Sequence, residues 1–292
     1  MTNTFLEDLA AAIRQEDAAA VYYLLTKNQT THLAEEDIYD FLSENSKPIP
    51  LKQAYTVCGS GGSGISKPNI SSLACLYLSC CHLPILKIGS RKKTSLFGST
   101  DFFDQYGLSD KYINDGIIQF AYYDVDTVKP WFKYRHLLPT NSCFRAYFDT
   151  HIFNEITFLG KFVGCLGPEK QEAYMMKDSD IPTQHIHMYY SYINGEPIDE
   201  LVGHNCFVDG NKATLTTLGH YSPLSTKAII ELDDNLCKGI CGDTLWYHSL
   251  RNTVALALVY FKGISIRDAY EEFDNIFETG GVATAMQITN PK

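Results

Sequence analysis

Val57-Cys58-Gly59-Ser60-Gly61-Gly62-Ser63-Gly64 places four glycines in six residues directly after a short apolar segment. Such a loop lets backbone amides approach an anion with no Cβ in the way, and glycine tolerates the positive φ angles this needs. Asn69-Ile70-Ser71-Ser72 follows, immediately before the apolar run Leu73 to Leu83. Three small polar side chains therefore stand at a predicted helix N-terminus, where free amides and the helix dipole favour a phosphate. Lys87-Ile88-Gly89-Ser90-Arg91-Lys92-Lys93-Thr94-Ser95 then brings four cations and three hydroxyls to the end of another apolar segment. Taken singly, these are a turn, a capped helix and a solvated basic loop. In series, on an acidic chain, they point to an anion site.

The chain has 292 residues, with 24 Lys+Arg against 34 Asp+Glu and a formal charge of -10. Apolar residues make up 45% and charged residues 20%, which is too apolar for a disordered protein. The length suits one large domain, or a large and a small one. No apolar run approaches the ~20 residues that span a bilayer. Glu7 and Asp8 sit where a signal peptide would be basic and then apolar, so no leader is expected. Nine scattered cysteines do not form a secreted disulfide framework and predict a reducing, cytoplasm-like compartment. The acidic balance argues against broad nucleic-acid binding and leaves Arg91 to Lys93 as a local basic segment.

The first fifty residues read as helices. Thr4-Phe5-Leu6-Glu7 has capping-box spacing, with Phe5, Leu9 and Ile13 on one face. Asp17 opens a second helix through Val21, Leu24 and Leu25, and Thr31 a third with Ile38, Phe41 and Leu42. Lys47-Pro48-Ile49-Pro50 ends the pattern. Beyond it, β-branched and aromatic segments at His185 to Ile193, Gly203 to Val208 and Ala228 to Leu232 alternate with helical ones. Asp209-Gly210 is a hairpin signal. The stretch from Val128 to Phe158, with Pro130 and Pro139, reads as helical and irregular. Asp243 and Ser265 each cap a closing helix, one stopped at Gly263 and the other at Gly280-Gly281.

Other residues carry weaker signals. His185 and His187 share a strand face as a metal pair without a suitably spaced third ligand. Cys237 and Cys241 match no zinc pattern, and Cys80-Cys81 reads as core. Trp131, Phe132 and Tyr134 suit an aromatic helix contact better than an acceptor pocket. There is neither a G-x-S-x-G elbow nor a Walker A lysine pattern.

The glycine loop and the Asn69-Ile70-Ser71-Ser72 turn resemble the GTGGDG…NIST signature of the anthranilate phosphoribosyltransferase family, with identical spacing. Lys87 to Arg91 is similar to that family's KHGNR, and Thr94 to Gly107 to its SSxSGSADVLEALG. Weaker likenesses link Ile198-Asp199-Glu200-Leu201 to LDEI, Ile152-Phe153-Asn154 to TIFN, and Asn252 to LNAA. The first block is specific for the superfamily, which also holds pyrimidine nucleoside phosphorylases, and less so for anthranilate.

The resemblance implies an α/β fold: a small all-helical N-terminal domain plus a larger α/β domain whose central, mostly parallel sheet is flanked by helices. The helical domain spans 1–52, joined by helices from about 127–160, and the α/β domain spans 53–126 and 161–292. A homodimer through the helical domain and an active site in the cleft between domains are implied too. The implied reaction moves phosphoribose from phosphoribosyl pyrophosphate (PRPP) to the nitrogen of an aromatic or heterocyclic acceptor, with Mg²⁺ assisting pyrophosphate release.

By the same resemblance Lys87 and Arg91 supply catalytic charge. Gly59, Ser60, Gly61, Gly62, Ser63, Asn69, Ser71, Ser72, Lys87, Gly89, Ser90, Thr94, Ser95 and Ser99 bind substrate, and Ser71, Asp199 and Glu200 hold the metal. Departures are concentrated on the acceptor side. The family's Asp in GTGGD is Ser63, and its His and Asn in KHGN are Ile88 and Ser90. Its carboxylate-pairing Arg falls on Thr150, with Arg145 and His151 as the nearby replacements. A nucleoside phosphorylase and a non-catalytic phosphate- or nucleic-acid-binding homologue are the alternatives. Asp199-Glu200 and the NIST-like turn speak against the phosphorylase.

Overall fold

The structure, a computed structural model, describes residues 4–27, 35–47, 49, 51, 53–59, 64–91, 97–137, 157–169, 171, 185–202, 205–215 and 219–287. The chain forms two compact units, Met1–Pro50 with Asp124–Thr157, and Leu51–Tyr123 with Phe158–Lys292. Among the described residues, no helix is long and apolar enough to cross a membrane.

The first unit contains α1 (Thr4–Arg14), α2 (Ala18–Lys27), α3 (Glu35–Glu44), a short α6 (Val125–Val128) and a 3-10 segment, Pro130–Leu137. The Asp17 carboxylate accepts from the Ala20 amide at 3.0 Å, as an N-cap should. Leu9, Ile13, Val21, Ile38 and Leu42 are buried, following the helical period of the sequence. Trp131 joins them with no exposed surface, its Nε1 donating to the Leu42 carbonyl at 3.3 Å. Trp131, Phe132 and Tyr134 are thus core residues of this unit.

The second unit is built on a mixed sheet. Its strands are β1 (Gln53–Cys58), β2 (Ile85–Gly89), β3 (Lys111–Asn114), β4 (Gln119–Asp124), β5 (Thr157–Gly164), β6 (His185–Ile193), β7 (Glu196–Ile198), β8 (Cys206–Val208) and β9 (Asn211–Ala213). The order is β3-β4-β2-β1-β5-β6-β8-β9, with β7 paired to β6. The β1–β2 and β5–β6 pairs at the centre are parallel, and antiparallel hairpins β3–β4 and β8–β9 extend both edges. Asp209-Gly210 does turn the second hairpin, with φ of 50° and 76°. The expected α/β class, with a central parallel sheet flanked by helices, is what the structure shows.

Helices α4 (Ile70–Cys80), α5 (Ser99–Gln105), α7 (Thr226–Cys237), α8 (Thr244–Lys262), α9 (Ile266–Glu278) and α10 (Gly281–Ala285) belong to the same unit. α4 crosses between β1 and β2 and packs on both, with Leu73, Leu76, Tyr77 and Leu78 fully buried. α8 packs against α4 and α9. Asp243 caps α8, accepting from the Leu245 amide at 2.9 Å, and Gly263 ends it in the left-handed region at φ 68°. Ser265 caps α9 through the Asp268 amide at 3.2 Å.

One reading is corrected. Ala228 to Leu232 is not a β segment but the middle of α7, capped by Ser225. Ile229, Leu232 and Leu236 recur at helical spacing and are buried, so tertiary burial and the cap outweigh the β-branched pair. Gly203 and His204 lie outside the described residues, and the strand predicted from Gly203 is observed over Cys206–Val208.

Candidate phosphate and cation site

The ends of three strands supply the backbone of the site: Gly59 follows β1, Gly89 closes β2 and Gly164 closes β5. In α/β sheets the region beyond strand carboxyl ends is where ligands bind. Gly89 allows β2 to meet α5, since a Cβ there would lie 2.7 Å from the Ser99 Cβ. A Cβ on Gly164 would drive into the Asp199 carbonyl oxygen. A Cβ on Gly59 would lie 3.2 Å from Asp199 Oδ2 and 4.0 Å from Ser71 Oγ. Gly59, Ser71 and Asp199, distant in sequence, are therefore neighbours.

Asn69 is the residue before α4, and its contacts face the protein. Its backbone amide donates to Asp233 Oδ1 at 2.8 Å and its Nδ2 to Asp233 Oδ2 at 2.9 Å. Burial pushes the Asp233 carboxyl up to about 7, against the pull of these two bonds. Asp233 on α7 thus fixes the start of α4. Ser72 is buried and donates to Ser99 Oγ at 3.2 Å, tying the N-terminus of α4 to that of α5.

Lys87 is 3% exposed, and its Nζ donates to the Val57 carbonyl at 2.8 Å and to Ser71 Oγ at 3.0 Å. A buried ammonium is thereby fixed between the end of β1 and the first turn of α4. Arg91 is set apart from this group: it is exposed and pairs with Asp104 at 2.8 Å and Asp101 at 3.5 Å on α5. Ile88 is buried in β2, and the Ser90 carbonyl accepts from the Thr100 amide at 3.2 Å. Ser60 to Ser63, Thr94, Ser95, Arg145, Thr150, His151 and Ile152-Phe153-Asn154 lie outside the described residues.

Asp199 and Glu200 follow β7, each 2% exposed. The Ser191 hydroxyl donates to the Glu200 carbonyl at 2.6 Å and accepts from the Val202 amide at 3.1 Å, so β6 fixes the turn that carries them. Both carboxylates meet Lys67, whose Nζ donates to Asp199 Oδ1 at 2.5 Å and Glu200 Oε1 at 2.6 Å. Burial opposes the Lys67 charge, but the two carboxylates outweigh it and hold the ammonium above the ordinary lysine range. Burial pushes Glu200 up to about 7 although Lys67 works the other way. Glu200 Oε2 is buried with no hydrogen-bond partner among the described residues. The donors are all oxygen and one remains unsatisfied, which suits a hard divalent cation.

The structure therefore brings Gly59, Ser71, Lys87, Asp199 and Glu200 together and adds Lys67, which the sequence reading passed over. Asn252, read from a weak likeness, is buried on α8 and accepts from the Tyr270 hydroxyl at 2.8 Å. His187 pairs with Asp209 at 2.8 Å and stacks on Tyr260 at 3.9 Å. The described residues hold no cluster of three or more His, Cys, Asp or Glu placed to bind a metal.

Fold and site together define an α/β protein with a buried lysine, a helix N-terminus and a buried carboxylate pair near the strand ends of its sheet. This is the fold of anthranilate phosphoribosyltransferases. The enzyme from Thermus thermophilus matches 97% of this chain and 92% of its own with a TM-score of 0.67 at 16% identity. That from Saccharomyces cerevisiae, solved in complex with PRPP and Mg, matches 97% of this chain and 89% of its own at TM-score 0.66 and 15% identity. In sequence, the anthranilate phosphoribosyltransferase of Methanosarcina acetivorans is 32% identical over 62 residues, or 21% of this chain. The chain covers 17% of the length of that relative. No family model matches the chain.

Proposed function

We propose that the protein is a phosphoribosyltransferase that moves phosphoribose from PRPP to the nitrogen of an aromatic or heterocyclic amine, anthranilate or an analogue. One observation carries the reading: Gly59, Ser71, Lys87 and the Asp199–Glu200 pair converge beyond the strand ends of one sheet. In the reaction the acceptor nitrogen bonds to C1 of the ribose as the bond from C1 to the pyrophosphate oxygen breaks. Negative charge builds on the leaving group, and stabilising it is the main catalytic task.

Backbone amides from Gly59 to Gly62 would cradle the pyrophosphate, with Ser60 and Ser63 in the same loop. Lys87 fixes the Ser71 hydroxyl and contributes buried positive charge, as its two bonds indicate. Arg91, Ser90, Gly89, Thr94, Ser95 and Ser99 would complete the donor side, and Asn69 and Ser72 hold α4 in place. Asp199, Glu200 and Ser71 would hold Mg²⁺, which when bound supplies positive charge against the departing pyrophosphate. Buried, apolar Ile88 favours an aromatic acceptor without requiring a carboxylate.

Calorimetry of PRPP with and without Mg²⁺, on wild type and on Asp199→Ala/Glu200→Ala, tests the donor half. Metal-dependent binding lost in the double variant is expected, followed by pyrophosphate release with an aromatic amine. No binding by wild type under either condition overturns the reading. A homodimer through the helical unit belongs to this proposal, supported by Tyr22 and Tyr23, which are more than half exposed on α2. Sedimentation velocity tests it. Buried free thiols such as Cys58, Cys75 and Cys237 support a reducing, cytoplasmic setting.

A further inference from the structure

Lys67 has no role in the function proposed above, yet it makes the closest contacts in the site. Its ammonium lies between Asp199 Oδ1 and Glu200 Oε1, where a cation bound to the pair would lie. The carboxylates are nearly closed to solvent, with side chains 2% and 3% exposed, so they need a resident counter-charge. One ammonium carries a single charge against two carboxylates, and Glu200 Oε2 has no partner among the described residues. A divalent cation would match the charge of the pair and use that third oxygen.

The attachment of Lys67 allows exchange. It lies in the irregular segment between Gly64, at φ 67°, and Asn69, outside any helix or strand. Its side chain is 18% exposed, so a path to solvent is open, and its four-carbon stem leaves without breaking a backbone ladder. Asp199 and Glu200 have no such freedom, because Gly164 and Ser191 fix the turn that carries them.

We propose that Lys67 is a tethered counter-ion of the carboxylate pair and that a divalent cation enters only by displacing it. Metal occupancy is then set by competition with an ammonium built into the chain. The ion binds weakly until substrate phosphate supplies further ligands, and the displaced ammonium is released toward solvent. This rests on the metal-dependent donor site proposed above.

The test is Mn²⁺ binding to the full chain without PRPP, by electron paramagnetic resonance, for wild type, Lys67→Met and Lys67→Arg. Lys67→Met is expected to bind one Mn²⁺ roughly tenfold or more tightly than wild type, and Lys67→Arg no more tightly. Equal or weaker binding by a folded Lys67→Met overturns the proposal. A second measurement uses wild type alone and so does not depend on the variant folding. Acetylation of Lys67 by acetic anhydride, read by mass spectrometry, should rise severalfold when Mn²⁺ saturates the pair. Unchanged labelling at saturation overturns it, as does the absence of Mn²⁺ binding to wild type at millimolar metal. PRPP calorimetry on the same sample separates the readings: donor binding with Lys67 unmoved sinks this inference and leaves the transferase standing.

Discussion

Two buried acidic sites lie in the same unit and are stabilised in different ways. Asp199 and Glu200 are held by a charge, the Lys67 ammonium, whereas among the described residues Asp233 is held by neutral donors from Asn69. An ammonium offsets part of the carboxylates' charge, although burial still pushes Glu200 up to about 7, and it can be exchanged for another cation. Amide donors orient a carboxyl group but compensate its charge poorly, so burial dominates its titration. The first arrangement suits a site that takes up a ligand. The second suits a fixed joint.

Removing the ammonium should have the largest effect. Lys67→Met leaves two buried carboxylates facing each other and should cost about 3–5 kcal/mol in urea unfolding with chelator present. Added Mn²⁺ should recover much of that loss in the variant and little in wild type. No recovery would mean that the pair does not serve as a cation site.

Titration should show the neutral-donor site next. Asp233 holds its proton up to about 7 in the folded protein, while its ordinary value is 3.8. The folded state is thus the more protonated between these values, so this group's contribution is fully present below the lower one. It is lost as pH rises to the upper one, by about 4–5 kcal/mol over the window at roughly 1.4 kcal/mol per unit. Asp233→Asn retains an amide oxygen for Asn69 and should flatten this part of the stability profile. A profile equally steep in the variant would assign the slope to other groups.

Gly164→Ala should cost about 1–3 kcal/mol by pushing against the Asp199 carbonyl, and it should weaken Mn²⁺ binding by moving the carboxylate. Loss of stability with unaltered metal binding would show that the turn shifts as a body. The smallest change is Ser225→Ala, which removes the α7 cap and should cost about 1 kcal/mol by thermal unfolding. Because α7 carries Asp233, it should leave the metal response untouched.

What the sequence revealed follows the range of the interactions. Asp17, Asp243 and Ser265 were readable as caps because their partners are two or three residues away. The same holds for the Asp209-Gly210 turn. The segment Ala228 to Leu232 was misread because its branched side chains fit a strand locally, and the burial that decides for helix comes from elsewhere in the fold. The glycine loop, Ser71 and Lys87 were found by local pattern. Their grouping with Asp199 and Glu200 came from the family resemblance and not from local pattern, and the Lys67 contact with Asp199, 132 positions away, was not readable. A lone lysine between a serine and a proline has no pattern of its own. The bond of Asn69 to Asp233, 164 positions away, was likewise invisible in the sequence.

The bare backbone of Gly164 against the Asp199 carbonyl also bears on how this chain can drift. A residue with no functional atom is set as tightly as the carboxylates it supports, because every substitution adds a Cβ where the neighbouring peptide already lies. In a deep mutational scan every substitution at this position should therefore be depleted, alanine least, while Ile117, with most of its side chain in solvent, accepts almost any residue.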